Sequence, residues 1–146
     1  VNEVTPCLRV LEAGNIDAIL LAGRYTLLDR TAAAELLPLC RDRGVALVVG
    51  GVFNSGILAT GARDNAVFDY GQASEIVLDR VRRLEAEAEA AAVPLAAAAL
   101  QFPLREDLVT SILLGTGRSA SVTRNLASLN VEVPSVFWHA ADGCSI

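Results

Sequence analysis

Apolar residues open the chain at helical spacing: Val4, Leu8 and Leu11 share one face, with Asn2 as the predicted cap and Gly14 as the stop. The period then changes. Ile16–Ala22 (IDAILLA) is too short and too continuously apolar for a surface helix, and reads as a strand buried on both faces of a parallel sheet. After the turn Gly23-Arg24-Tyr25 the helical spacing returns with Ala33, Leu36, Leu37 and Cys40; Thr31 is the expected cap, Pro38 the expected bend and Gly44 the stop. Val45–Val49 (VALVV) is a second buried strand, followed by a loop through Gly56. Polar residues from Thr60 to Gly71 read as further loop. Ser74 is placed to cap a long helix whose inner face carries Val77, Val81, Leu84, Ala88 and Ala91, and whose mixed-sign outer face reads as solvated. Pro94 restarts an alanine-rich helix to about Gln101. Val109–Leu114 (VTSILL) is the third strand; a helix with Val122, Leu126 and Leu129 and a short amphipathic piece at Phe137 and Trp138 end the chain.

Strict alternation of helices and short apolar strands predicts an α/β fold with a parallel sheet. Three strands are too few for a doubly wound sheet and fit successive units of a (β/α) barrel, which runs to about 250 residues. The expectation is a partial (β/α)8 TIM barrel forming one domain over residues 1–146: a leading helix, three β/α units and a C-terminal helix. The composition is 53% hydrophobic and 20% charged with a mean hydropathy of +0.44, which supplies a core and excludes intrinsic disorder. A net charge of −5 argues against nucleic acid as a partner. No apolar run reaches the roughly 18 residues of a membrane span, so no membrane partner is expected. Cys7, Cys40 and Cys144 are odd in number and widely spaced, which suits reduced thiols in a cytoplasmic protein and neither a disulfide framework nor a metal site. The chain opens at Val1 and has no methionine, so it reads as a piece of a longer protein.

In such a barrel ligands sit at the C-terminal ends of the strands. Gly115-Thr116-Gly117-Arg118-Ser119 opens a helix there, whose free N–H groups and positive end suit an anion, and Arg118 adds a guanidinium fork. The preceding such loop, Gly50 to Gly56, offers backbone access with Asn54 and Ser55. Tight turns needing positive φ explain either loop alone; together, on consecutive strand ends, they favour an anionic ligand. Acid–base machinery is lacking. His139 is the only histidine and lies far from any strand end, Tyr25 reads as a rim anchor, and no motif pairs the cysteines or carboxylates for catalysis.

The stretches IDAILLAGRYTLLDR, LLPLCRDRGVALVVGGVFNSGILATG, PLAAAALQFPL and SILLGTGRSASVTRNLASL resemble the C-terminal half of an aldo-keto reductase, and the ending VPSVFWHAADG is similar to that family's closing segment. The likeness is to the branch of aldose and fucose dehydrogenases. It covers Asn2 to about Gly143, so the missing portion lies at the front. The resemblance implies NAD or NADP as cofactor and a sugar or small carbonyl compound as substrate. It implies that Asn2 holds the nicotinamide carboxamide and that Phe53, Asn54, Ser55 and Gly56 meet the pyrophosphate. Gly115, Thr116, Gly117 and Arg118 lie at the adenosine ribose and phosphate, and Asn125 meets the adenine. Departures are Ala22 and Gly50, where many members carry a nicotinamide-binding Gln and a stacking aromatic. Ser121 stands where many NADPH-preferring members carry arginine; this leans toward NAD, with Arg118 and Arg124 as alternative cations. The family's catalytic Asp, Tyr, Lys and His all fall in the absent front half, and this chain has no lysine at all. Two readings of the chain stand open: the cofactor-binding half of an oxidoreductase, inactive alone, or a non-catalytic remnant that binds a dinucleotide or associates through open sheet edges. A truncated reading frame without independent biology is the third.

Overall fold

The computed structural model describes residues 1–146. Helix α1 (Val4–Ala13) precedes strand β1 (Ala18–Ala22); α2 (Leu36–Arg43), β2 (Ala46–Gly50) and the short α3 (Ile57–Thr60) follow. A two-residue hairpin, β3 (Val67–Phe68) and β4 (Gly71–Gln72), leads to α4 (Glu75–Ala90), α5 (Leu95–Gln101) and β5 (Val109–Leu113). Helices α6 (Ser119–Ser128) and α7 (Ser135–Ala141) close the chain. β1, β2 and β5 form one parallel sheet in the order β1-β2-β5, the expected three β/α units of an open partial barrel. Thr110 is an extra residue in the β2–β5 ladder, and its hydroxyl donates to the Leu47 carbonyl at 3.2 Å.

Burial on both faces of the strands was expected and is not found. Ile19, Leu21, Leu47, Val49 and Val109 are buried against the helices. Leu20 and Leu113 are exposed and Val48 half-exposed on the opposite face, which in a closed barrel is the interior. The open face therefore carries Leu20, Val48 and Leu113; of the residues the sequence pattern suggests for it, Ile19, Leu21, Val48 and Ile112 or their neighbours, Val48 itself lies there, and the other three lie next to the residues that do. Period-2 alternation fixes this: Leu20 pairs with Val48, and Gly50 with Leu113, on one face. The accessible surface is 8011 Å², against about 7,100 Å² for a folded monomer of this mass. The edge at β1 is partly occupied, since the Val1 amino group donates to Leu20 O at 3.0 Å and Ala22 N–H donates to Val1 O at 2.8 Å. That is the bonding pattern of a parallel strand, which makes Asn2 a strand-end residue.

Of three cap expectations one holds and two fail. Ser74 caps α4 as expected, accepting the Val77 N–H at 3.4 Å. Asn2 does not cap α1: the N-cap is Glu3, without a side-chain bond, because Asn2 is drawn to the strand end. Thr31 does not cap α2, which starts only at Leu36; residues 31–35 form turns and Ala33 is exposed. Thr31 is claimed by Asp29, whose Oδ1 accepts both its N–H (3.0 Å) and its hydroxyl (2.8 Å). Pro38 consequently lies in the first turn of α2, where its missing N–H costs no helical bond and no bend follows. The predicted loop over 60–71 contains the end of α3 and most of the hairpin. No helix is long and apolar enough to cross a membrane.

Candidate functional site

Three clefts that share walls run along the C-terminal ends of the strands. The first lies between Asn2, Gly23, Arg24, Gly51, Asn54, Ser55, Asp69 and Tyr70. The second shares Gly51, Asn54 and Ser55 with it and reaches Gly56, Leu114 and Gly115. The third, about 420 Å³, shares Phe53 and Gly115 with the second and extends to Thr116, Ser121, Arg124 and Asn125. Of the residues singled out in the sequence, Asn2, Phe53, Asn54, Ser55, Gly56, Gly115, Thr116 and Asn125 line these three neighbouring clefts, together termed the groove. Gly117 and Arg118, also singled out, are exposed and line none of the three.

The loop after β2 is built on left-handed backbone. Gly51 (φ +63°) allows the chain to pass Gly23 so closely that a Cβ would sit 3.1 Å from the Gly23 nitrogen. Asn54 (φ 44°) and Ser55 (φ 58°) follow in the same region, each at a cost of about 1–2 kcal/mol for a non-glycine residue. Asn54 is buried, and its side chain is spent on holding the loop: Oδ1 accepts the Thr26 hydroxyl at 2.6 Å and Nδ2 donates to Gly23 O at 3.1 Å. It shapes the groove, leaving Ser55 and the loop backbone to face a ligand. The loop after β5 differs. Neither Gly115 nor Gly117 has positive φ, and a Cβ at either would meet nothing within 4 Å. No turn and no packing within this chain requires those two glycines. Thr116 Oγ1 accepts the Arg118 N–H at 3.2 Å and sets the entry to α6, while Arg124 Nη2 donates to Ser121 Oγ at 3.1 Å inside the third cleft.

Arg24 is the residue that sequence reasoning passed over. Its Nε donates to Asn2 O at 2.8 Å and Nη1 to Asp29 Oδ2 at 3.0 Å; Nη2 is shared by the two Asp69 oxygens at 3.0 and 2.9 Å. These bonds, first Asp69 and then Asp29, hold the guanidinium above its ordinary pKa against the effect of burial. The available signal was its position, one charged residue directly after a buried parallel strand.

Tyr25, read from the sequence as an anchor at the rim, and His139 line none of the three clefts. Tyr25 is buried with its ring 5.3 Å from that of Phe102, and burial pushes its phenol up. His139 is exposed and its Nδ1 lies 2.7 Å from Ser135 O, one turn back on α7. Burial likewise pushes up all three cysteine thiols.

Comparison with known proteins identifies relatives of the chain and of its fold. The chain is 44% identical over 138 residues to a pyridoxal 4-dehydrogenase of Microbacterium luteolum, which takes in 94% of this chain and 40% of that protein. It is 40% identical over 131 residues to a D-threo-aldose 1-dehydrogenase of a Pseudomonas species, covering 89% of this chain and 40% of that protein. The chain therefore spans about two fifths of the length of these curated relatives. The fold superimposes on the holo form of an aldo-keto reductase from Bacillus halodurans with a TM-score of 0.74 at 22% identity, over 98% of this chain and 47% of that one. A sequence model of the Aldo/keto reductase family matches residues 3–146, and the chain belongs to that family.

Proposed function

We propose that this chain is the cofactor-binding half of an NAD(P)-dependent oxidoreductase acting on a sugar or small carbonyl compound, and that alone it has no dehydrogenase activity. The observation that carries the reading is the succession of three clefts with shared lining residues, from Asn2 past Ser55 and Phe53 to Asn125. Its shape and chemistry suit a dinucleotide. Small residues floor it, backbone N–H groups lie near the start of α6, and Gly115 and Gly117 leave room for close approach of a ligand. Asn2 serves the nicotinamide end, residues 53–56 the pyrophosphate, and residues 115–118 with Asn125 the adenosine. Nicotinamide supplies the hydride chemistry when bound. Ser121, in place of a cation, favours NAD, although Arg124 lies beside it in the same cleft and Arg118 is a further cation before α6. The names of the two curated relatives support a small carbonyl or sugar substrate.

The absence of activity follows from the side chains. No lysine exists, Tyr25 is buried in the core and His139 is bonded to its own helix. Loss of a general acid removes about two to four orders of magnitude of rate. Purified chain with NAD or NADP and L-fucose or D-arabinose is expected to leave the cofactor absorbance unchanged; substrate-dependent turnover above blank would overturn this part of the reading. A separate observation, the exposed face at Leu20, Val48 and Leu113 with the unpaired outer edge of β5, favours association with a further chain.

A further inference from the structure

The hairpin β3–β4 turns through Asp69 (φ 49°) and Tyr70 (φ 65°), a two-residue turn with both residues left-handed. Such turns favour Asn-Gly, and a tyrosine there is strained. Something must hold it. Both Asp69 oxygens are bound to Arg24 Nη2, Tyr70 N–H reaches Ser55 Oγ at 3.5 Å, and Arg24 is itself anchored to Asn2 O and to buried Asp29. The result is that Tyr70, 83% exposed, borders the cleft between Asn2 and Ser55, whose other walls are Ala22, Gly23, Gly51 and polar side chains. It is the only aromatic residue lining that cleft.

We infer that the Arg24–Asp69 ion pair is a latch that seats the hairpin against the Asn2 end of the groove, and that Tyr70 is thereby the positioning residue that walls the nicotinamide ring. This rests on the dinucleotide reading above. A flat heterocycle over a floor of alanine and glycine has little to pack on, and a tyrosine ring supplies that surface. Oxidised nicotinamide is also a cation, which an aromatic face attracts. The guanidinium joins Asn2 to Asp69, and the Tyr70 N–H ties the same turn to Ser55, so the three are positioned together.

The test uses tyrosine nitration in the whole chain, which has only two tyrosines. Tyr25 is buried with its phenol pushed up and reacts slowly, so the signal belongs to Tyr70. NAD should slow nitration of Tyr70, whereas ADP, which lacks the nicotinamide, should bind without doing so. Asp69→Asn keeps a residue that tolerates left-handed backbone and removes only the charge; it should abolish protection by NAD and leave ADP binding unchanged. NAD bound by calorimetry with Tyr70 nitrated at the ligand-free rate would overturn the inference, as would protection persisting in Asp69→Asn. If that variant also lost ADP binding, the ion pair would belong to the fold and the inference would fall. Absence of both NAD and ADP binding in the parent chain would instead sink the dinucleotide reading, and this inference with it.

Discussion

Arg118 and Arg124 are the two guanidinium groups near the end proposed for adenosine, and they are placed differently. Arg124 lines the cleft beside Ser121, whereas Arg118 lines no part of it and has its backbone N–H bound to Thr116. Either one, changed to alanine, is expected to weaken ADP-ribose binding by about 1–3 kcal/mol, the range of a hydrogen bond to a charged group. Calorimetry checks this, and an unchanged affinity in both variants would contradict it. The motif drew attention to Arg118, which lines none of the three clefts, whereas Arg124 lines one because of the way α6 faces it, which the motif does not show. The thiols give a second expectation at this scale. Cys7, Cys40 and Cys144 are held above the ordinary 9.0, principally by burial. In the unfolded chain they ionise at the ordinary value while the folded chain keeps its protons. Above that pH the unfolded state binds fewer protons, so stability falls as pH rises. Denaturant midpoints should be steady from neutral pH to about 8 and decline above about 9; a midpoint rising through that window would contradict the assignment.

Elements were legible where a local rule met no competitor. Ser74 precedes a long amphipathic run with nothing nearby to claim its hydroxyl, so it caps α4; Ser74→Ala should cost about 1 kcal/mol by thermal or chemical unfolding. Thr31 carries the same local signal and fails, because Asp29 binds both its N–H and its hydroxyl. The hairpin at 67–72 escaped notice because Asp-Tyr is not a hairpin-turn sequence; it exists through Arg24, a contact forty-five residues away in sequence. Glycines separate in the same manner. Gly44 and Gly51 both have positive φ, but only Gly51 faces a backbone neighbour at 3.1 Å. Alanine at Gly44 should cost about 1 kcal/mol and at Gly51 about 2 kcal/mol or more, measured by denaturant unfolding. Equal losses would show that the close approach to Gly23 relaxes without cost.

At the scale of the molecule, the parallel sheet and its order followed from the alternation of periods, but which face was open did not. Apolar runs such as AILLA carry no polar residue to mark the solvent side, so the choice fell to the helices packed on Ile19, Leu21, Leu47 and Val49. The exposed Leu20 and Leu113, with Val48 between them, predict association: sedimentation should find dimers or larger species, and Leu20→Lys should shift them toward monomer. A compact monomer at all concentrations would count against it. The groove itself spans every element that ends at this side of the sheet, and the claim that it seats a dinucleotide end to end is tested most directly by backbone amide NMR during titration with NAD. The account predicts shifts at Asn2, at residues 53–56 and 115–118 and at Asn125, with α1, α2 and α4 unmoved. Shifts confined to another face, or none at millimolar ligand, would contradict it.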